Sequence, residues 1–166
     1  MKTAVLYYSL TGNTADTARK IADNLGAKLI PLTPKKAYPA SGFKKFFWGG
    51  KSAVMEEAPD LEPYAFRAED YDCVIFGTPV WAGTMAPPLR TALRQQRQAL
   101  QGKTVAAFAC SGGGSAGKTF EKMKNEAGVS AFHAELHLID PKDRHSEENA
   151  RKIARFCQQL TGGEQQ

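Results

Sequence analysis

The sequence has 166 residues, 42% of them hydrophobic and 23% charged, with a net charge of +5. These fractions are typical of a globular protein and exclude a disordered or fibrous one. The length predicts a single domain over residues 1–160 and a loose tail over residues 161–166. No apolar run reaches the ~20 residues of a membrane-spanning helix, and the N-terminus lacks the pattern of a secretory leader. We therefore expect a cytoplasmic protein that does not insert into membranes.

The basic residues, cysteines and histidines predict no nucleic-acid, disulfide or metal site. Lysine and arginine are scattered, without zinc-finger spacing, an RNA-binding signature or a long basic run. The three cysteines form no C-x-x-C pair, so we expect free thiols in a reducing compartment: Cys73, Cys110 and Cys157. The histidines show no metal-ligand spacing with cysteines or acidic residues: His133, His137 and His145.

Strand and helix patterns alternate along the chain. Apolar segments predict strands over residues 3–8, 27–32, 72–77, 103–109 and 131–139. Apolar residues at helical spacing predict helices over residues 13–25, 85–99, 116–127 and 146–160. This alternation predicts an α/β fold in which helices cover both faces of a parallel sheet. Five strands fit a doubly wound sheet in the order 2-1-3-4-5, which binds ligands at the carboxyl ends of its strands.

The segment over residues 33–70 interrupts this alternation. Phe43, Phe46 and Phe47 fall at helical spacing, which predicts a helix over about residues 41–57 that is interrupted by two glycines. We expect the aromatic side of this helix to pack against the sheet. A lid or docking surface is the alternative.

A short polar loop, SLTGNT, separates the first predicted strand from the first helix. Backbone amides at a helix start lack intrahelical partners, and the helix dipole attracts an anion there. Gly12 allows a tight turn and close approach, while the hydroxyl and amide side chains add donors. Because the loop holds no Lys or Arg, it suits a phosphate monoester better than a triphosphate; a plain helix cap is the alternative. The candidate residues are Ser9, Leu10, Thr11, Gly12, Asn13 and Thr14.

The loop after the third predicted strand, TPVWAGT, is the second candidate site. Trp81 stands at the carboxyl end of a central strand, where its flat ring suits stacking on a planar ligand. Gly83 gives the backbone freedom to reorient. The alternative is that Trp81 only covers the core under the next helix. The candidate residues are Thr78, Pro79, Val80, Trp81, Ala82 and Gly83.

Together, SLTGNT and TPVWAGTMAPPLRT resemble the motifs of the flavodoxin-like FMN-binding family, with the resemblance covering residues 1–160. It implies a flavodoxin-like fold with FMN as the cofactor. It further implies that the first loop holds the FMN phosphate and that the second lies along the isoalloxazine ring, with Trp81 as a stacking or edge contact. The remaining flavin contacts would come from the loop after the fourth strand, at Cys110, Ser111, Gly112 and Gly113.

The last of these loops also supports a competing interpretation. Residues 112–119, GGGSAGKT, satisfy the P-loop pattern G-x-x-x-x-G-K-[ST] between a predicted strand and a predicted helix. Asp140, at the end of a later strand, is the candidate magnesium ligand of that interpretation. A nucleotide-triphosphate-binding protein is therefore a distant alternative, since it leaves the other two loops unexplained.

The resemblance implies a protein that transfers electrons to a redox partner protein, with a backbone carbonyl of Ala82-Gly83 as the candidate acceptor for the flavin N5 proton. Two features depart from familiar flavodoxins. The chain is basic, which would stabilise an anionic reduced flavin, and the loop CSGGGSAG has no aromatic residue to cover one flavin face. The TPVWAGT loop also resembles that of FMN-dependent NAD(P)H:quinone oxidoreductases of the tryptophan-repressor-binding-protein type. A small-molecule acceptor such as a quinone is therefore the alternative partner.

Overall fold

The computed structural model describes residues 1–39 and 50–162. Within these residues the strands are β1 (Thr3–Tyr7), β2 (Lys28–Pro31), β3 (Cys73–Trp81), β4 (Thr84–Met85), β5 (Thr104–Ser111) and β6 (Glu135–Ile139). The longer helices are α1 (Asn13–Leu25), α2 (Pro87–Gln96), α3 (Gly117–Ala127) and α4 (Glu147–Thr161). A short 3-10 helix spans Ala68–Asp70, and residues 50–54 are helical.

Five parallel strands form the sheet in the order β2-β1-β3-β5-β6, which confirms the predicted order 2-1-3-4-5 and the flavodoxin-like α/β fold. The prediction of five strands was incomplete, because β4 pairs antiparallel with the end of β3. β3 continues to Trp81 instead of ending at residue 77, and the chain reverses through Ala82 and Gly83. A strand of two residues is too short for its alternation to show in the sequence.

Several other predicted boundaries were wrong, among them the end of the second long helix, at Gln96 instead of residue 99, and the end of the fourth predicted strand, at Ser111 instead of residue 109. The second long helix begins at Pro87 instead of residue 85, because proline lacks an amide hydrogen and suits the first helical turn. The last strand begins at Glu135 instead of residue 131. Of the helix predicted over residues 41–57, the part before residue 50 lies outside the described residues, as does the tail after residue 162.

Helices cover both faces of the sheet because successive strand residues are apolar and buried. Val5 and Ile75 belong to the cluster packed against α1 and α4, whereas Leu6 and Phe76 belong to the cluster packed against α2 and α3. All four are fully buried, and each such side chain contributes about 1.5–3 kcal/mol of hydrophobic stabilisation. This packing fixes the carboxyl ends of the strands, where the loops discussed below are anchored.

The centre of the sheet depends on a close contact between β3 and β5. Gly77 pairs with Phe108, and a Cβ atom placed on Gly77 would lie 2.1 Å from Cζ of the Phe108 ring. No side chain therefore fits at Gly77, which stands directly before the second candidate loop.

Among residues 1–39 and 50–162, none of the helices combines the length and the hydropathy that crossing a membrane requires.

Candidate functional site

A cavity of about 470 Å³ opens at the carboxyl ends of β1, β3, β5 and β6. Twelve of the sixteen sequence-predicted site residues line it: Ser9, Leu10, Thr11, Asn13, Thr14, Pro79, Val80, Trp81, Ala82, Cys110, Ser111 and Gly112. The other four are not among the lining residues: Gly12, Thr78, Gly83 and Gly113. Sequence analysis did not assign three further lining residues to this site: Gly50, Asp140 and Asp143.

The loop between β1 and α1 forms a tight left-handed turn at Gly12. Gly12 has φ 107°, a conformation that side chains disfavour, and its amide donates to Ser9 Oγ at 3.2 Å. Asn13 Oδ1 accepts a hydrogen bond from the backbone amide of Lys142 at 2.9 Å. The loop is thus closed on itself by Ser9 and tied to the far end of the chain through Asn13.

The N-terminus of α1 has the features of an anion site. Gly12 is its N-cap residue and provides no side-chain capping bond, so the plain-cap alternative does not describe this helix. Thr14, in the first turn, is 1% exposed, and among the described residues its hydroxyl makes no hydrogen bond to an oxygen or nitrogen atom, although it interacts weakly with the Cys110 thiol and so helps to lower the pKa of that thiol. A buried hydroxyl without an oxygen or nitrogen partner is costly, and an anion bound at the helix start would remove that cost.

The second loop is a β-hairpin turn. Ala82 and Gly83 have φ 49° and 73°, so two left-handed residues join β3 to β4, as in a type I′ turn. Thr78 is fully buried, and its hydroxyl donates to Pro79 O at 2.9 Å and accepts from the amide of Ala86 at 2.9 Å. Thr78 therefore stabilises the two ends of the hairpin without lining the cavity.

Trp81 is held at the cavity by two tyrosines that sequence analysis did not select. The rings of Tyr8 and Tyr38 meet the Trp81 ring edge-on, at centroid distances of 5.6 and 5.3 Å. Burial raises the pKa of Tyr8, and the neighbouring Tyr38 adds to the rise, so Tyr8 stays a neutral phenol at physiological pH. Edge-to-face contacts of this kind are favourable, and here they fix the orientation of the Trp81 ring.

The third loop contributes a buried thiol and a hydroxyl. Cys110 is 3% exposed, and burial raises the pKa of its thiol to about 11, although the Thr17 hydroxyl 3.4 Å away partly opposes this rise. It is accordingly a neutral thiol and not a reactive thiolate. Ser111 Oγ lies 2.7 Å from Nε2 of His137 and donates to Gly113 O at 3.0 Å, which fixes the start of the glycine-rich turn.

The loop after β6 adds the acidic residues. The amide of Asp140 donates to Ser111 O at 2.9 Å, and Asp140 then turns with φ 40°, which brings Asp143 to the cavity as well. Sequence analysis considered Asp140 only as a magnesium ligand of the competing interpretation. Since carboxyl ends of parallel strands meet at one edge of the sheet, the position of this loop after the last strand was the signal that could have found both residues.

Comparisons with known proteins agree with this architecture. The family model described as Flavodoxin matches residues 2–152. A flavoprotein from Lactobacillus acidophilus NCFM in complex with FMN is 24% identical, with a TM-score of 0.71 over 86% of this chain and 95% of that chain. A flavoprotein from Bacteroides eggerthii DSM 20697 is 27% identical, with a TM-score of 0.74 over 90% and 93%. A WrbA-like flavodoxin from Agrobacterium tumefaciens is 18% identical, with a TM-score of 0.54 over 94% of each chain.

The family match covers most of the sequence and shows that the chain belongs to the flavodoxin family. Membership of this family supports FMN as the cofactor. The similarity to the three solved structures shows that this chain shares their fold.

Proposed function

We propose that this flavodoxin-family protein binds FMN in the cavity and carries electrons, one at a time, from a reduced redox protein to an oxidised one. A single observation carries this proposal: the start of α1, the Trp81 hairpin and two carboxylates converge on one cavity. Bound FMN would supply the redox chemistry, while the chain sets binding, orientation and local charge.

The residues at the start of α1 fit a phosphate monoester. The first amides of α1 have no intrahelical acceptor, and within the described residues the buried hydroxyl of Thr14 has only the weakly bonding Cys110 thiol as a partner. Ser9, Thr11 and Asn13 line the same part of the cavity with polar side chains. We therefore assign the FMN phosphate to this loop.

The hairpin fits the planar end of the cofactor. Trp81 presents a fixed aromatic surface, and Pro79, Val80 and Ala82 continue the lining beside it. Across the cavity, Cys110 and the residues after it offer backbone groups for the polar edge of the ring. We therefore assign the flavin ring to the space between these two loops.

The local charge at the cavity favours an electron carrier. Although the chain carries a net charge of +5, two carboxylates line the cavity, those of Asp140 and Asp143, and Asp140 is only partly compensated by Arg144, whose Nε lies 3.8 Å from Oδ2. Negative charge near the cofactor makes the addition of a second electron less favourable, because the cofactor would then carry a full negative charge itself. The site therefore opposes the effect expected from net charge alone and favours transfer of single electrons.

A second candidate function is NAD(P)H:quinone oxidoreduction. Gly112, Gly113 and Gly114 are exposed, and among residues 1–39 and 50–162 no atom would lie within 4 Å of a Cβ atom placed on Gly113 or Gly114. The glycine-rich turn thus leaves room beside the cavity in which a hydride donor or a quinone is able to approach. In such an enzyme, NAD(P)H would give a hydride to FMN, and a quinone would then take two electrons and two protons.

Stepwise reduction separates the two functions. The protein would be loaded with FMN, freed of unbound cofactor and reduced anaerobically while its visible spectrum is recorded. A carrier is expected to retain FMN, to take up electrons in two separate steps and to show negligible NAD(P)H oxidation with a quinone present. A single two-electron step with rapid quinone-dependent NAD(P)H oxidation would reject the carrier in favour of the reductase. Protein that retains no FMN would reject both.

Asp140 provides a direct test of the local charge. Asp140→Asn removes one negative charge at the cavity, so the second midpoint potential is expected to rise by roughly 50 mV, since 59 mV corresponds to about 1.4 kcal/mol per electron. Asp23→Asn is the matched control, because Asp23 is exposed in α1 ten residues beyond Asn13. Equal shifts in both variants would show that net charge, and not the cavity carboxylate, sets the potential.

A further inference from the structure

We propose that Lys142 supplies the positive charge that the phosphate loop itself lacks, and so makes the cavity selective for a flavin phosphate over an unphosphorylated flavin. The inference rests on the proposed function, since it takes this cavity as the FMN site. Lys142 lies in the loop after β6, more than a hundred residues from the phosphate loop, and sequence analysis did not select it.

The side chain of Lys142 lies against Gly12. A Cβ atom placed on Gly12 would be 3.2 Å from Lys142 Nζ and 3.3 Å from its Cδ. The aliphatic part of the side chain thus follows the turn, and the exposed ammonium group ends beside Gly12, although Lys142 is not one of the residues that line the cavity. Gly12 makes this approach possible, because a larger residue would push the lysine away.

The backbone of Lys142 is fixed independently of its side chain. Its amide donates to Asn13 Oδ1 at 2.9 Å, and Asn13 is the first residue of α1. On the other side, the amide of Asp140 donates to Ser111 O at 2.9 Å. Position 142 is therefore held at the loop even when the side chain is changed, which makes substitution a clean test.

The charge of Lys142 is not neutralised by a carboxylate within ion-pair distance among residues 1–39 and 50–162, although Asp140 and Asp143 are its neighbours in sequence. Asp140 is instead approached by Arg144, with Nε 3.8 Å from Oδ2. An anion at the start of α1 would therefore meet the helix dipole, the buried Thr14 hydroxyl and an uncompensated ammonium group. A phosphate monoester matches this set, whereas riboflavin has no group to place there.

The test compares FMN with riboflavin, using quenching of flavin fluorescence to measure both dissociation constants. For Lys142→Gln we expect FMN affinity to fall about fivefold, riboflavin affinity to stay unchanged, and the salt dependence of FMN binding to weaken. Lys142→Arg keeps the charge and is expected to retain FMN affinity. Lys118→Gln is the matched control, since Lys118 is an exposed lysine at the start of α3, beside the loop of residues 112–116.

Each other result overturns the inference. Unchanged FMN affinity in Lys142→Gln would show that the ammonium group does not contact the phosphate. Equal loss of FMN and riboflavin would show that Lys142 only supports the loop, and a larger FMN loss in Lys118→Gln would place the phosphate at the second loop. Wild-type protein that binds neither flavin would instead reject the proposed function itself.

Discussion

Two loops of this protein occupy equivalent positions between a strand and a helix but have different structural surroundings. The phosphate loop (residues 9–13) precedes α1, and the glycine-rich loop (residues 112–116) precedes α3. Each helix has an N-cap residue that gives no side-chain capping bond. Each also has a buried threonine, Thr14 or Thr119, whose hydroxyl makes no hydrogen bond to an oxygen or nitrogen atom among the described residues.

The difference lies in what each loop contacts. The phosphate loop is bound to the loop after β6, through the Asn13–Lys142 hydrogen bond and the packing of the Lys142 side chain on Gly12. In the glycine-rich loop, no atom of the described part of the chain lies within 4 Å of a Cβ atom placed on Gly113 or Gly114. The two loops therefore differ in the neighbours that the rest of the chain supplies, and our proposal for the anion site rests on these neighbours and not on the letters of a motif.

The largest expected difference between the loops is in their tolerance of alanine. Gly12→Ala is expected to lower the free energy of unfolding by about 2 kcal/mol, because Gly12 has φ 107° and its Cβ would crowd Lys142. Gly113→Ala places its methyl group in open space and is expected to change the free energy by less than about 0.5 kcal/mol. Urea unfolding of the apoproteins measures both, and equal effects would remove the structural distinction between the loops.

The two buried threonines, Thr14 and Thr119, provide a second test of the difference between the loops. Thr14→Val and Thr119→Val each replace a buried hydroxyl without an oxygen or nitrogen partner by a methyl group, which is expected to stabilise the apoprotein by about 1 kcal/mol in both cases. Only Thr14→Val is expected to weaken FMN binding, by about tenfold, because only that hydroxyl would meet the phosphate. Thermal unfolding and flavin titration test the pair.

If Thr119→Val weakened FMN binding and Thr14→Val did not, the assignment of the two loops would be reversed. Binding of magnesium and ATP at the glycine-rich loop of the wild-type protein would instead support the P-loop interpretation.

The smallest expected effect is a pH dependence of stability that comes from His137 in β6, whose Nε2 lies 2.7 Å from Ser111 Oγ. Burial lowers the pKa of His137 from its ordinary value of 6.5, and the charge of Lys152 lowers it further. The unfolded chain therefore takes up a proton before the folded one, so stability falls as the pH drops through about 6.5 toward the folded pKa and is fully present above it. The decline should be smaller in His137→Gln, measured by urea unfolding at about pH 7.5 and pH 5.5. An identical decline in both proteins would contradict this role of His137.

The order of the parallel strands could be predicted from the sequence, because each strand and helix has its own apolar period. Val5, Leu6, Ile75 and Phe76 show a continuous apolar pattern that both faces of the sheet then bury. The hairpin at Ala82 and Gly83 could not be predicted in this way. It depends on a two-residue strand and on an alanine in a left-handed conformation that local preference disfavours.

Local sequence patterns were sufficient to predict the alternation of strands and helices, the candidate loops at one edge of the sheet and the resemblance to flavodoxins. The tertiary structure alone placed Tyr8 and Tyr38 against Trp81, Asp143 in the cavity and Lys142 against Gly12. The physical reason is the separation along the chain of the residues that come into contact. Periodicity and capping are properties of neighbouring residues, whereas these contacts join segments that come together only when the packed helices fix the carboxyl ends of the strands.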